Sequence, residues 1–280
     1  MSDAAQRANS KARLRARLKV RKYAVAASSA LRERTAYRGS FLGSAIAYGL
    51  FVFVFSRIWA SAYSDRTDID GYGHVQMVWY FIVAELSSFA FSGSFWSLAR
   101  DMKSGDVAYL VSRPYSFVFY SYAQGMGRAV ANCMVLLLEG AVLGLLTVGP
   151  PPAVSPGQAF GVLVAMVLAG SVYFLLNLAL AMTSFWVEEN AAFYWIFQKL
   201  ALIVGTLIPI ELLPAKAQIV AWWTPFPSMS YVPARLFSAW PGDAGAGELL
   251  AYQAAWVAFS ALLCHCVYAL GRDKLTVNGG

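Results

Sequence analysis

Glu85 and Glu139 are the residues of this 280-residue chain best placed to do chemistry, because each sits inside a long apolar run. An ionised carboxylate at the centre of a bilayer is costly, so each must face protein or water, pair, or stay neutral. Two roles are open to each. One is a polar patch on the route of a transported solute, favouring cationic amphiphiles. The other is a buried hydrogen bond between helices. Arg128 is the nearest cation to Glu139 in its run, eleven residues away. On a helix that spacing returns to within about 20° of the same face but leaves about 16 Å along it, too far for direct pairing. Cys264-His265-Cys266 resembles a metal set only on paper, since successive helical residues point about 100° apart and cannot converge on one ion. With Cys133 these make three cysteines in apolar runs, which fit core packing and no disulfide framework. The sequence holds no G-x-x-x-x-G-K-[ST], so this chain does not itself cradle ATP phosphates. It holds no G-x-S-x-G or H-E-x-x-H either, and two histidines leave little for acid–base or metal chemistry. No cofactor or metal is expected on this chain, and an enzyme is the weaker class.

The elements that carry the two carboxylates follow from composition. Hydrophobic residues make up 59% and charged residues 13%, and the mean hydropathy is +0.53. Ordinary globular domains carry about 25% charged residues, and disordered chains carry more charge and fewer aromatics. An all-α integral membrane protein is the class that remains. The net charge of +7 is local. Met1–Arg38 holds eleven basic and two acidic residues, a net of +9, and the remainder is slightly acidic. A basic tail beside apolar spans suits the anionic leaflet of a membrane, not nucleic acid.

Uncharged runs place six spans, at about 39–59, 75–99, 121–148, 158–186, 191–210 and 249–271, each near the 20 residues that cross a bilayer. Residues 1–38 form the basic tail and 39–280 the transmembrane domain. The positive-inside rule puts both termini and the 100–113 connection in the cytoplasm, with 65–73 outside. A cleaved leader ending at Ala60-Ser61-Ala62 would need an amino-terminal region of about 38 residues, far too long. Tyr23, Ala27, Ala30, Leu31 and Tyr37 share one helical face, which Arg34 interrupts, and 23–38 reads as a weakly amphipathic helix lying in the cytoplasmic interface. Gly39-x-x-x-Gly43 and Gly140-x-x-x-Gly144 are candidate helix-packing contacts.

Two connections depart from plain hydrophobicity. Pro209, Pro214, Pro225, Pro227, Pro233 and Pro241 crowd between the fifth and sixth spans among tryptophans and tyrosines. Proline at this density permits only short helices, so 209–245 is expected to be a cap of short helices dipping into the outer interface. Arg100–Tyr120 is amphipathic and ends its helical potential at Arg113-Pro114. A short helix there would suit reception of force from a soluble motor.

These residues also carry a resemblance. SGDVAYLVSRPYSFVFY resembles the cytoplasmic loop of ABC-2-type exporter permeases, where a Gly-Asp-x-x-x-x-Leu-x-Arg-Pro pattern follows the second span. Gly105, Asp106, Arg113 and Pro114 fill that pattern, with Val111 where Leu is commoner. Ile208–Pro214, Thr224-Pro225-Phe226 and Tyr231-Val232-Pro233-Ala234 are similar to the family's outer segment, and Ser184-Phe185-Trp186 precedes a polar turn as expected there. The closest branch is that of daunorubicin-exporter-like permeases. The resemblance implies a six-span permease subunit that pairs with a second permease, identical or paralogous, in the bacterial plasma membrane. It also implies separate ABC ATPase subunits below, which hold the ATP and Mg. Asp101, Lys103, Gly105, Asp106, Arg113 and Pro114, with Glu188 and Glu189 of the fourth-to-fifth turn, would convey ATPase closure. Glu85 and Glu139 are candidates for the translocation path, and Pro209, Pro214, Pro225, Phe226 and Pro233 for an outer lid. The expected activity is ATP-driven export of an amphiphile, drug or lipid-linked molecule. A secondary transporter has too few membrane charges for ion coupling.

Overall fold

The computed structural model describes residues 21–32, 38–91, 93–103, 116–239 and 241–275. Helix α1 covers 21–32. It is followed by α2 (Arg38–Ala62), a strand pair β1 (Asp68–Ile69) and β2 (Tyr72–Gly73), α3 (His74–Ala90), α4 (Ser94–Lys103), α5 (Phe117–Thr147) and α6 (Pro156–Met182). Then come α7 (Ala191–Ala201), which continues as a π-helical turn to Thr206, and α8 (Ala215–Trp222), α9 (Phe226–Met229), α10 (Tyr231–Ser238) and α11 (Gly242–Leu275). Among the described residues, five helical stretches are long and apolar enough to cross a membrane, and Ala191–Thr206 is a shorter apolar helix. Sixteen helical residues reach about 24 Å, short of a hydrocarbon core of about 30 Å. The expected fifth span therefore falls short. It ends early because Pro209 cannot continue it, and because Gly205 lies so near the Phe226 carbonyl that a Cβ would stand 2.6 Å from it.

Local chemistry explains the remaining boundaries. Ser155 caps α6, its Oγ accepting from the Gln158 amide at 3.2 Å, with Pro156 at the first helical position. Asp70 and Gly71 both have positive φ, the two-residue turn that an Asp-Gly pair favours, and this turn closes the strand pair. The second span is one candidate span from His74 to Lys103, but it is broken: α3 ends at Ala90, Gly93 adopts φ +81°, and α4 resumes at Ser94. Asn132 of α5 donates to the Ala90 carbonyl at 2.7 Å, satisfying an acceptor at the end of α3.

Packing sorts the bundle by end. At the Lys103 end, Phe91, Phe95, Leu98, Met102, Phe117 and Met182 belong to one buried cluster. At the opposite end, Tyr63, Tyr72, Met77, Tyr80, Tyr231 and Leu236 belong to a second. Tyr48, Val52, Trp79, Ile82 and Leu136 join α2, α3 and α5 in a third.

Helix α1 docks on α5 through Tyr23, Ala27, Ala30 and Leu31 of the expected face, with Ala26 added, while residues 33–37 of the expected helix lie outside the described residues. Ala26 and Ala30 are buried, and Tyr23 packs beside Phe119 with ring centroids 6.2 Å apart. Gly127 lies under the Ala27 backbone, so closely that any Cβ would collide with the carbonyl. Gly127→Leu is therefore expected to detach α1. Overpacking of this kind costs at least about 1.4 kcal/mol, a tenfold shift in the docked fraction. Trypsin cleavage at Arg21, Lys22 and Arg32 should speed up by about that factor. Gly157→Leu, at a position with open space, should leave it unchanged.

Candidate functional site

The site begins at the Lys103 end with α4. Phe95, Leu98, Ala99 and Met102 are its buried face, at the spacing of an amphipathic helix, and Arg100 and Lys103 lie in its last turn, where cations suit the helix dipole. The Phe95 ring stacks on Tyr194 at 4.4 Å and 9°, and Trp96 meets Tyr194 edge-on at 5.4 Å. This aromatic contact fixes α4 to the start of α7. Between α6 and α7 runs the Glu188-Glu189-Asn190 turn. Asn190 is buried, and its amide donates to the carbonyls of Leu180 and Ala181 at 3.1 and 3.2 Å, capping the end of α6. Glu189 Oε1 accepts from the Ala191 amide at 3.0 Å, and its Oε2 lies 3.8 Å from Lys103 Nζ. Two of the residues expected to couple to an ATPase, from different connections, are thus brought together. Glu188 is exposed beside them. Asp101 is half-buried and lines a small cavity of about 20 Å³ with Ser121, Gln124 and Arg128. Gly105, Asp106, Arg113 and Pro114 lie outside the described residues.

The two intramembrane carboxylates differ in burial, and each has one buried oxygen, Oε1 of Glu85 and Oε2 of Glu139, without a hydrogen-bond partner among the described residues. Glu85 is buried on α3. Glu139 is half-buried on α5, and its Oε1 rests on Gly49 of α2, where a Cβ would stand 2.5 Å away. Tyr48 of α2 donates to the Ile82 carbonyl of α3 at 3.0 Å in the same region.

The expected outer lid divides in two. Pro214 is exposed and α8 is a surface helix, with Trp223 just past its end at 82% exposure. Phe226 and Pro233 are buried instead, on α9 and α10, which run inside the bundle against α3, α6 and α11. They are core rather than cap because single amides tie them in. Gln253 of α11 donates to the carbonyls of Ser228 and Ala165 at 2.8 and 3.1 Å, and Gln158 of α6 donates to those of Leu236 and Phe237 at 2.9 and 3.1 Å. Pro209 is buried and Pro225 half-buried. Glu211 accepts from Tyr231 at 2.6 Å and from Arg235 Nε at 2.8 Å, and the Arg235 guanidinium lies 5.7 Å from the Tyr72 ring centre. Burial, with the Glu211 carboxylate nearby, holds the Tyr72 phenol well above its ordinary value, so it stays neutral. This latch joins the first connection to the Pro-rich one. Sequence reasoning missed it, along with Asn190 and Gln253. For Gln253 the available signal was a single polar side chain in an otherwise apolar stretch, and for Asn190 a small amide closing a polar turn before an apolar helix.

A family model described as ABC-2 family transporter protein matches residues 46–279. The chain belongs to this family. No curated protein matches it. The matched region runs from the first span to the carboxy terminus and excludes α1. The protein is therefore a multi-pass membrane component of an ABC transporter, the permease and not the ATPase. In this ABC-2 permease the α4–α7 contact, the two carboxylates and the buried α9–α10 pair all lie within the matched region.

Proposed function

We propose that this ABC-2 permease is the membrane subunit of an ATP-driven exporter in a bacterial plasma membrane. It pairs with a second permease subunit and rests on two soluble ABC ATPases, which bind ATP and Mg. Its cargo is an amphiphile, drug or lipid-linked molecule. The observation that carries this reading is the joint of α4 with the Glu189 turn, through the Phe95–Tyr194 stack and the Lys103–Glu189 pair. Two connections on one end of the bundle are locked together there, so a motor that pushes the 100–114 connection also moves α7 and the π-helical turn after it. From Gly205 and Thr206 that displacement reaches α9 and α10, since Thr206 and Ser230 share a hydroxyl contact at 3.0 Å. The Glu211–Arg235 latch at the far end would then part to release cargo outward.

The test is purification of the tagged chain from its native host, followed by assay in nanodiscs. A soluble ATPase should co-purify and hydrolyse ATP. Deletion of Lys103–Val107 should leave the chain inserted and lower both co-purification and hydrolysis at least tenfold. Absence of any ATPase, or wild-type hydrolysis after the deletion, would refute the reading.

A further inference from the structure

We propose that the cleft between α5 and α6 is a binding site for one acyl chain of a bilayer phospholipid. Its volume is about 410 Å³, within the range of ligand sites. Its floor is α3, through Ile82 and Leu86. Its walls are Val130 and Leu137 of α5 and Leu163 and Val167 of α6, all four of which are also exposed at the surface.

The shape is that of a chain. At one end α5 and α6 meet where Gly125 lies against the Phe174 ring, and Phe91 packs on Gly170. At the other end Trp79 lies beside Phe237, with ring centroids 6.0 Å apart, and against Gly144. The floor from Trp79 to Phe91 spans twelve residues, about 18 Å of helix. That exceeds one leaflet of a hydrocarbon core about 30 Å thick. The cleft runs along the helices, as an extended acyl chain runs in a bilayer.

The chemistry excludes a polar occupant. The polar groups on the lining are already engaged. Tyr48 donates to the Ile82 carbonyl at 3.0 Å, Ser87 contacts Met166 Sδ at 3.4 Å, and the Trp79 indole donates to the Gly149 carbonyl at 3.2 Å. A water held there would need two to four polar partners. The lining also carries Met126, Met134 and Met166, flexible side chains that adapt to an irregular apolar guest. The opening faces sideways, between helices long and apolar enough to cross a membrane. In a bilayer such helices meet lipid at that opening, and Ile82 and Leu86 of the floor belong to a buried cluster with Tyr48, Val52 and Leu136. A resident lipid can enter from the bilayer without passing through the protein.

The probe is phosphatidylcholine carrying a diazirine in one acyl chain, in vesicles containing the purified protein. After irradiation, labelled residues are mapped by peptide mass spectrometry. Leu50, Phe53 and Val54, exposed on α2, report ordinary contact with surrounding lipid. Labelling per residue along 126–141 and 162–170 is expected to exceed that of α2 at least fivefold. Ala141→Trp, and separately Val162→Phe, should remove the excess and leave α2 labelling unchanged. Equal labelling of cleft and α2 in the wild-type protein overturns the site, whatever the variants do. So does an excess that both filling variants leave intact.

Discussion

Gly140→Leu is expected to lower the melting temperature of the purified protein by about 6–12 °C, while Gly43→Leu leaves it within about 2 °C. Both glycines belong to small-residue patterns of the same form, yet their surroundings differ. A Cβ on Gly140 would collide with the Tyr48 hydroxyl and stand 2.9 Å from Ile82 Cγ2. Four residues on, one at Gly144 would stand 2.6 Å from the Trp79 ring. Tyr48 is fully buried and bonded to α3, so it cannot swing away without leaving its own hydroxyl unpaired. The bulkier side chain must push α2 off α5, at a cost near the upper end of the 1–3 kcal/mol usual for overpacking. Gly43 has open space where its Cβ would be. Thermal unfolding followed by size-exclusion chromatography would decide the matter, and equal losses in the two variants would sink it.

This contrast marks what was legible in the sequence. The repeat of glycines at four-residue spacing is visible in both places, but only burial tells a packing seam from a lipid-facing stripe. The boundary between α5 and α6 was legible because it rests on local chemistry, whereas the last helix starts at Gly242, seven residues before the expected 249. Ser155-Pro156 starts α6 within two residues of the expected position, and the Gly-Pro turn before it ends α5. The α1 face was legible for the same reason, since Tyr23, Ala27, Ala30 and Leu31 recur at helical period. The break at Gly93 was not, because an isolated glycine in an apolar run is ordinary. Its consequence depends on Asn132, some forty residues later.

The Pro-rich connection was legible as short helices and misleading as to depth. Proline density limits helix length but says nothing about what the helices pack against. The helices that carry Phe226 and Pro233 are tied in by Gln253 and Gln158, whose amides reach the carbonyls of Ser228 and Leu236 from other helices. For the candidate site, the charges of Lys103 and Glu189 were visible, and their meeting was not. It depends on the Phe95–Tyr194 stack, which brings the ends of two non-consecutive helices together.

Glu85→Leu is expected to raise the melting temperature by about 3–8 °C and to abolish export of a lipophilic cation dye by the reconstituted transporter. The stability gain follows from the site's geometry. Glu85 is 2% exposed and its Oε1 lacks a hydrogen-bond partner among the described residues. Such an atom costs about 1–3 kcal/mol, which leucine of similar size removes. A residue kept against that cost is a candidate for work in transport, since sites that act on a solute are often destabilising. Glu139 also has one buried oxygen, Oε2, without a hydrogen-bond partner among the described residues, but it differs in that its Oε1 fills the space over Gly49. Glu139→Ala should open that contact and lower the melting temperature by about 2–6 °C, with dye export falling only in step with protein yield. Glu85→Gln separates the terms at the first site. It keeps the size and leaves a polar atom unpartnered, so it should melt like the wild type while export falls at least tenfold. A lower melting temperature for Glu85→Leu would mean that the carboxylate has a structural partner. Normal export by both Glu85 variants would remove it from the solute's route.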